Sequence, residues 1–156
     1  MAGVPSGRGV VVNDTDRAII EQLQSDGRLP YTKLGAAVGL SEAAVRQRVQ
    51  RLVDAGVMQV VAVTDPLSLG LRRVAMVGIR TEGDVVAVSE RISAFADVSY
   101  VVITAGSFDI LAEVVAADDE ALLLLTNSIR VVPGVTSTES FIYLRLAKQI
   151  FNWGAR

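Results

Sequence analysis

The sequence has neither cysteine nor histidine among its 156 residues. Without cysteine there are no disulfides, no thiolate nucleophiles and no sulfur ligands for metals. Without histidine, the most frequent general base and the most frequent zinc ligand are missing. No nucleophile elbow, phosphate-binding loop or metal-spaced cluster is present either. We therefore predict that the protein is not an enzyme and that it has no metal and no cofactor.

Aromatic residues and long apolar runs are also scarce. Only 5% of the residues are aromatic although 51% are hydrophobic, so the core must consist mainly of Val, Leu, Ile and Ala. No apolar run approaches the roughly 18 residues of a membrane span, and residues 1–12 hold too short an apolar stretch for a secretory signal. We expect a cytoplasmic protein without a membrane partner.

Charge is distributed unevenly along the chain, although the net charge is only −2. Residues 1–64 contain seven basic and six acidic residues, a net charge of +1, whereas residues 65–156 contain eight and eleven, a net charge of −3. A protein that binds nucleic acid with its whole surface is therefore excluded. Any nucleic-acid site should be local and N-terminal.

The N-terminal third has the pattern of two short helices joined by a turn. Residues 13–15 offer a cap, Ile19, Ile20 and Leu23 form a helical stripe, and Gly27 is a stop signal, which predicts a helix over 15–25. Thr32 is a candidate cap for a second helix that buries Leu34, Ala37 and Val38 and ends at Gly39. A third helix follows closely, as in a helix-turn-helix motif.

The stretch Leu40–Leu52 is predicted to be the recognition helix. Ser41 is its N-cap candidate, and its buried stripe is Val45, Val49, Leu52 and Val53. The opposite side is polar and basic; on a lone helix it would be interpreted as a solvated surface, but the preceding helix and turn favour DNA binding. Gln47 and Arg51 are the candidates for base contacts, Arg46 and Arg48 for phosphate contacts, and Arg48 also for packing. The predicted DNA-binding residues are Ser41, Ala43, Arg46, Gln47, Arg48, Gln50 and Arg51.

After Gly56, a plausible helix C-cap, the pattern changes to strands. Residues 57–63 are rich in valine and predict a strand, and Asp65–Gly70 has the residues of a turn and marks a domain boundary. The predicted organisation is a flexible tail (1–12), a helix-turn-helix domain (13–56), a linker strand and turn (57–71), a second domain (72–148) and a C-terminal tail (149–156). The C-terminal tail contains two aromatic residues, Phe151 and Trp153. This tail either docks on a neighbouring surface or is frayed, and the sequence leaves both alternatives open.

The second half alternates strand and helix periods in the order βαββαβ. Strands are predicted at 72–79, 98–104, 108–115 and 135–146. One helix has its inner face at Val85, Val88, Ile92 and Phe95, and the other, capped near Asp118, at Leu122, Leu125 and Ile129. The fold class is therefore α+β: a helix-turn-helix (winged-helix-like) domain followed by a ferredoxin-like domain.

Two helices cover only one face of such a sheet, yet both faces are predicted to be apolar. We expect Val102, Ile110 and Val114 on one face, and Val101, Ile103, Leu111 and Val115 on the other. The uncovered face needs a partner, which predicts a homodimer. A two-fold pair of recognition helices would read half-sites about one DNA turn, or a multiple of it, apart.

Five segments in this order resemble the Lrp/AsnC (feast/famine) family of transcriptional regulators. They are DTDRAIIEQLQSDGR, LSEAAVRQRVQRLVDAGVM with its VxxRxxRL core, DPLSLG, AGSFDIL with a Gly-x-x-Asp motif, and VPGVTSTESFIYL. The resemblance runs from about Asn13 to Lys148. It implies a transcriptional regulator that binds double-stranded DNA and whose second domain senses a small molecule, usually an amino acid, at contacts between dimers. It also implies that dimers assemble into higher oligomers such as an octamer.

By position, the resemblance implies an effector site around Gly106-Ser107-Phe108-Asp109. The carried-over residues are Ile103, Thr104, Gly106, Ser107, Asp109, Asp119, Phe141 and Ile142. Asp109 could bind the ammonium group of an amino acid, with loop amides and hydroxyls for its carboxylate. Plain structural interpretations stand beside this one: Gly106 for a positive φ, Asp109 for turn amides, and Phe141 and Ile142 for interface packing.

Two residues of the chain depart from the family pattern. Gly35 stands where the family commonly has Ala, at a helix-propensity cost of about 1 kcal/mol, and Glu42 replaces a frequent Pro. Glu42 suits the helix dipole but would repel phosphate if it faced DNA.

An architectural DNA binder without effector fits the sequence equally well. A haem-precursor decarboxylase shares the predicted architecture, but it relies on histidine.

Overall fold

The computed structural model of the chain describes residues 11–149 and divides it into two compact units. The boundary lies between Val63 and Thr64, immediately before the predicted turn at Asp65–Gly70, and the second unit ends at Ala147. The predicted tails fall almost wholly outside the described residues, and so do Phe151 and Trp153. The finer domain ranges given above stay a prediction.

The first unit contains three helices in its described part: α1 (Asp14–Ser25), α2 (Tyr31–Val38) and α3 (Glu42–Asp54). The Asn13 side chain accepts a hydrogen bond from the Asp16 amide, and the Asp16 carboxylate accepts one from the Asn13 amide, which completes a capping box. The Ser41 hydroxyl caps α3 by accepting from the Ala44 amide at 3.2 Å, as predicted. The predicted Thr32 cap is wrong: Pro30 is the N-cap residue and its carbonyl accepts from the Leu34 amide at 2.9 Å, so Thr32 already lies inside the first turn of α2.

The three helices enclose a small core. The fully or nearly buried members of its cluster are Ile19, Leu34, Val45 and Val49, and Leu52 of α3 is fully buried as well. Val53 was predicted to belong to it but is 37% exposed. On a helical wheel it lies about 80° from Val45, at the margin of the apolar stripe. Gly35 also differs from expectation, because a Cβ there would lie 2.5 Å from the Leu40 carbonyl oxygen. Close packing of the turn on α2 therefore accounts for this glycine.

Residues 57–63 do not form the predicted strand. The Val57 amide donates to the Leu52 carbonyl at 2.9 Å, which closes the end of α3, and Gly56 adopts a φ of 67° there. Beyond it Val60, Val61 and Val63 are exposed. A strand needs a neighbour to bond with, and no described residue of the chain pairs with this segment.

The second unit has the predicted βαββαβ order. Its elements are β1 (Arg73–Thr81), α4 (Val85–Ser93), β2 (Val98–Ile103), β3 (Ile110–Ala116), α5 (Asp119–Arg130) and β4 (Val135–Ile142). The strands form an antiparallel sheet in the order β2-β3-β1-β4, which confirms the ferredoxin-like prediction. β4 ends at Ile142 and not at Leu146, and just past its end the Tyr143 amide donates to the Val74 carbonyl of β1.

One face of this sheet is covered by both helices. Alternate residues of β1 and β3 pack there against α4 and α5; the buried set is Ala75, Val77, Ile79, Val88, Ile92, Ile110, Ala112, Val114, Ala116, Leu122, Leu125, Ile129 and Val132. The predicted faces of three β2 residues are wrong: Val102 does not lie with Ile110 and Val114, and Val101 and Ile103 do not lie with Leu111 and Val115. The antiparallel register pairs Val102 with Leu111 and Val101 with Ala112, so Val102 lies on the opposite face.

That opposite face, called here the open face, carries half-buried apolar side chains. They come from all four strands: Val74, Met76, Val102, Leu111 and Val115, together with the exposed Tyr100 and Phe141. No helix of the described chain covers it. The expectation of one covered and one uncovered apolar face is therefore confirmed.

Candidate functional site

The exposed side of α3 is the candidate nucleic-acid interface. A shallow groove along it is lined by Ala43, Arg46, Gln47, Gln50, Arg51, Asp54 and Ala55. Five of the seven predicted DNA-binding residues are among these. Ser41 serves as the N-cap at one end of the helix, and Arg48 lies to one side of the groove.

Arg48 and Arg51 both donate to one carboxylate on α1. Arg48 Nη1 lies 2.9 Å from Asp16 Oδ1, and Arg51 Nη2 lies 2.6 Å from Asp16 Oδ2. The Asp16 side chain is fully buried, whereas the two arginine side chains are 31% and 44% exposed. Each guanidinium keeps N–H groups that this carboxylate does not use. The two arginines therefore tie α3 to α1, whatever else they contact.

The pKa of the Asp16 carboxyl reflects this arrangement. Burial opposes its ionisation, but the hydrogen bonds from Arg51, the Asn13 amide and Arg48, with the charge of Arg51, outweigh burial and hold the pKa below 3.8. Asp16 is thus ionised at neutral pH. Sequence reasoning missed this residue: the capping box was visible locally, but its partners are 32 and 35 residues away.

Arg46 and Gln47 are the groove residues least committed to the fold. Arg46 Nη2 donates to Glu42 Oε1 at 2.7 Å between two exposed side chains, and its guanidinium lies over the Tyr31 ring, 5.2 Å from the centroid. The Gln47 side chain makes no hydrogen bond to any residue in the range 11–149. Gln50 donates to Asp54 Oδ1 at 2.7 Å on the same exposed face. Both Arg46 and Gln47 are free to reach outward.

The candidate effector loop joins β2 and β3 at one end of the sheet. Asp109 is anchored there: its amide donates to the Ile79 carbonyl, and its Oδ2 accepts from the Thr81 amide at 2.7 Å. The Thr104 amide donates to the Asp109 carbonyl, and the Thr104 hydroxyl to that of Phe108. Asp109 Oδ1 has no hydrogen bond within residues 11–149. Oδ2 of Asp109 therefore holds the turn, and Oδ1 is available to accept a hydrogen bond from a ligand.

Gly106 is not explained by its own chain. Its φ is not among the positive glycine φ values, and a Cβ added there would meet nothing within 4 Å. The interpretation that the hairpin needs a glycine for a positive φ is therefore wrong. Neither backbone conformation nor packing in the described chain requires glycine at this position.

Of the remaining carried-over residues, Asp119 and Ile142 lie apart from Asp109 within one copy of the chain. Asp119 accepts from the guanidinium of Arg73, at the first residue of β1, whereas Asp109 contacts β1 at its last residues. Arg73 lowers the pKa of the exposed Asp119 carboxyl through this hydrogen bond. Phe141 pairs with Met76 and Ile142 with Ala75, so these neighbours lie on opposite faces of the sheet. Ile103 is exposed at the end of β2 beside the loop.

Phe108 connects the loop to the open face, and sequence reasoning did not select it. Its ring covers Gly78, where a Cβ would lie 2.7 Å from the ring atoms, and it packs edge-on against Phe141 with 6.1 Å between centroids. The Arg80 guanidinium lies 5.6 Å from the same ring centroid. The only signal for Phe108 in the sequence was Gly78, a glycine in the neighbouring strand that leaves room for the ring. That signal can be recognised only when the register of the strands is known.

A polar cluster lies among the apolar residues of the open face. Glu113 accepts from the Ser99 hydroxyl and from the Tyr143 hydroxyl, each at 3.0 Å. Burial, then the hydrogen bond to Glu113 and its charge, raise the pKa of Tyr143 to about 12. Both carboxylate oxygens of Glu113 are thus already bonded within one chain.

Comparisons with known proteins agree with this architecture. A model of the AsnC-type helix-turn-helix domain matches residues 12–53, and a model of a C-terminal dimeric alpha+beta barrel domain matches residues 71–156. A helix-turn-helix joined to such a sheet domain defines a DNA-binding transcriptional regulator. The chain belongs to the Lrp/AsnC family, which confirms the resemblance seen in the sequence.

Individual relatives support the same assignment. An uncharacterised HTH-type transcriptional regulator of Pyrococcus horikoshii is 32% identical over 157 residues, covering 99% of this chain and 97% of that protein. The leucine response regulatory protein of Mycobacterium tuberculosis is 31% identical with a TM-score of 0.77, covering 88% of this chain and 95% of that one. A Neisseria meningitidis transcriptional regulator, solved as an L-Met complex, shares the fold at 23% identity (TM-score 0.78, covering 90% and 94%).

These relatives are named as transcriptional regulators and not as enzymes, in agreement with the prediction from the sequence. Within residues 11–149, no helix is long and apolar enough to cross a membrane. The same residues contain no group of three or more acidic side chains placed to hold a metal ion.

Replacing Asp16 with Asn should destabilise the first unit by about 1–3 kcal/mol, because Arg48 and Arg51 lose their shared charged acceptor. A carboxyl whose pKa is lowered by folding stabilises fully above its unfolded value, near 3.8. This contribution is lost as the pH falls through the folded-state pKa. The stability difference between wild type and Asp16→Asn, measured by urea unfolding, should therefore shrink below about pH 4.

The matched control is Asp14→Asn, which removes an exposed carboxylate from the same helix turn. Asp14→Asn should lower the free energy of unfolding by less than Asp16→Asn does. The Asp14→Asn variant should also keep the pH dependence of stability that the Asp16 carboxyl contributes. Equal effects of the two substitutions would contradict the assignment of Asp16 as the anchor between α1 and α3.

Proposed function

We propose that this regulator binds specific DNA sequences as a homodimer, and that an amino acid held at contacts between dimers modulates this binding. The observation that carries the DNA part is the division of α3 into an anchored side and a free side. Asp16 holds Arg48 and Arg51, whereas Arg46 and Gln47 extend from the exposed groove without a bond to Asp16. Arg51 lines the same groove. A helix fixed in this way can present its outer residues to the major groove in one orientation.

The residues of the groove divide into phosphate and base contacts. Arg46 is the phosphate contact, since its exposed guanidinium has only a weak surface pair to give up. Gln47 is the base contact, since its amide can both donate and accept. Arg48, Gln50 and Arg51 add further DNA contacts through the N–H groups that are not bonded to Asp16 or Asp54. Small Ala43 and the Ser41 turn let the start of α3 approach the DNA closely.

The homodimer forms through the open face. Its half-buried Val74, Met76, Leu111 and Val115 lose their remaining contact with water when a second sheet covers them. Glu113 tolerates this burial because Ser99 and Tyr143 already satisfy its oxygens. The matched C-terminal model describes a dimeric domain, which supports this arrangement.

The effector site lies at the loop of Gly106 and Asp109. Asp109 Oδ1 would accept from the ammonium group of an amino acid, and Thr104, Ser107 and the open space at Gly106 would admit its carboxylate. The L-Met complex of the Neisseria relative supports an amino acid as the ligand. Asp119 lies too far along β1 to join this loop in one copy, so its participation requires a neighbouring subunit, as does that of Ile142. Phe141 already packs against Phe108 of the loop. Such contacts would build assemblies beyond the dimer, up to the octamer.

Substitution of Arg46 with Ala should weaken binding to every DNA sequence, because a phosphate contact carries no sequence information. The slope of the logarithm of the binding constant against the logarithm of salt concentration should flatten by about one unit. The measurement is fluorescence anisotropy with the DNA upstream of the protein's own gene and with unrelated duplex DNA. Arg91→Ala, in the second unit, removes the same charge and should leave the slope unchanged. An unchanged slope in Arg46→Ala would rule out the phosphate role.

Placing a charge on the open face should prevent dimerisation. Sedimentation velocity at micromolar concentration should show wild type as a dimer or larger and Leu111→Asp as a monomer, because the carboxylate would be buried without a partner. Leu123→Asp makes the same change on α5, where the side chain is 52% exposed, and should still dimerise. A monomeric wild type, or a dimeric Leu111→Asp variant, would contradict the proposed interface.

A thermal-shift screen against the twenty amino acids should identify the effector. A ligand present at 100 times its dissociation constant stabilises the native state by about 2.7 kcal/mol. Gly106→Ala should leave the ligand-free stability close to wild type, because nothing lies within 4 Å of the added Cβ, but it should reduce the ligand shift. If no amino acid stabilises wild type, the effector-independent architectural DNA binder becomes the better description.

A further inference from the structure

Glu42 and Arg46 form an exposed pair one helical turn apart at the start of α3. Arg46 Nη2 lies 2.7 Å from Glu42 Oε1, and the side chains are 64% and 45% exposed, respectively. The Tyr31 ring lies against the guanidinium at 5.2 Å. The carboxylate on one side and the ring on its face restrict Arg46, and the carboxylate in turn has one partner and one free oxygen.

This carboxylate contributes little to the fold. An exposed pair of this spacing stabilises a helix only slightly, and the Ser41 hydroxyl already caps α3. Glu42 does interact favourably with the helix dipole, but the shorter side chain of an aspartate there would do the same without placing a carboxylate this far out. On DNA the same carboxylate enters the negative field of the phosphates, which opposes binding.

A carboxylate in the major groove does have a favourable partner. Cytosine presents its N4 amino group there as its only polar group, whereas adenine presents its N6 amino group beside the acceptor N7, which repels a carboxylate. Guanine and thymine present acceptors only. The first residues of a recognition helix are those that reach base edges in helix-turn-helix proteins. We propose that Glu42 reads a cytosine amino group in each half-site, while Arg46 leaves Glu42 and binds the phosphate backbone. This inference rests on the DNA contacts proposed above for α3.

The pairing of Glu42 with Arg46 couples the two contacts. On a site with cytosine, Glu42 has the amino group as a replacement partner, and Arg46 is free to bind phosphate. On a site without it, Glu42 either stays unpaired or retains Arg46, so the phosphate contact is lost as well. Glu42 therefore lowers affinity for DNA in general and makes binding depend on one base pair.

Selection from a randomised duplex library with the full-length chain tests this proposal. Wild type should favour cytosine at one position of each half-site by about tenfold or more over the other bases. Glu42→Ala should lose the preference at that position alone and bind unselected DNA more tightly. Glu42→Gln should change the preference to adenine, because an amide pairs with adenine through two hydrogen bonds.

Asp54→Asn is the matched control, since Asp54 is another acid of the exposed face of α3, paired at 2.7 Å with Gln50 at the other end of the helix. It should keep the cytosine preference. An identical base pattern in wild type and both Glu42 variants would overturn the inference, even if their overall affinity rises, because Glu42 would then only repel DNA. Failure of wild type to bind any duplex would instead refute the proposed DNA contacts, and thermal unfolding of each variant separates both outcomes from a folding defect.

Discussion

The buried carboxylate of Asp16 is the interaction on which the first unit depends. It receives hydrogen bonds from the Asn13 amide and from Arg48 and Arg51, so one side chain both starts α1 and holds α3. The unit needs such a link because its apolar core is small: Ile19, Leu34, Val45 and Val49 are the buried members of its cluster. Removing either arginine would leave the other to satisfy a buried charge alone.

This anchor changes how the basic residues of α3 are to be interpreted. Arg48 and Arg51 are bonded to Asp16 of α1, whereas Arg46 and Gln47 are not, although Arg51 lines the groove with them. The number of arginines on a recognition helix is therefore a poor measure of its contacts with DNA. Here two of the three arginines are bonded to Asp16, and the third is paired with Glu42.

The sequence predicted what depends on neighbouring residues. Caps such as Ser41 and Asp118, the buried stripes of the helices and the βαββαβ order follow from spacing within one element, and the structure has them. What it did not predict depends on distant partners. Asp16 meets arginines 32 and 35 residues away, the face of Val102 is set by its register with β3, and residues 57–63 lack a neighbouring strand. For Gly106, neither φ nor packing in one chain explains the glycine, so local reasoning could not assign its role.

In the proposed dimer, the second unit would influence DNA binding even though the proposed contacts with DNA all come from α3. If two recognition helices read two half-sites, the free energy of covering the open face becomes part of the free energy of binding DNA. A ligand that changes contacts between subunits then changes DNA affinity by the same factor by which DNA changes ligand affinity. The loop is suited to this coupling, because Phe108 extends from it over Gly78 on the open face while Asp109 holds β1. A ligand at Asp109 would therefore act on the surface that pairs the subunits.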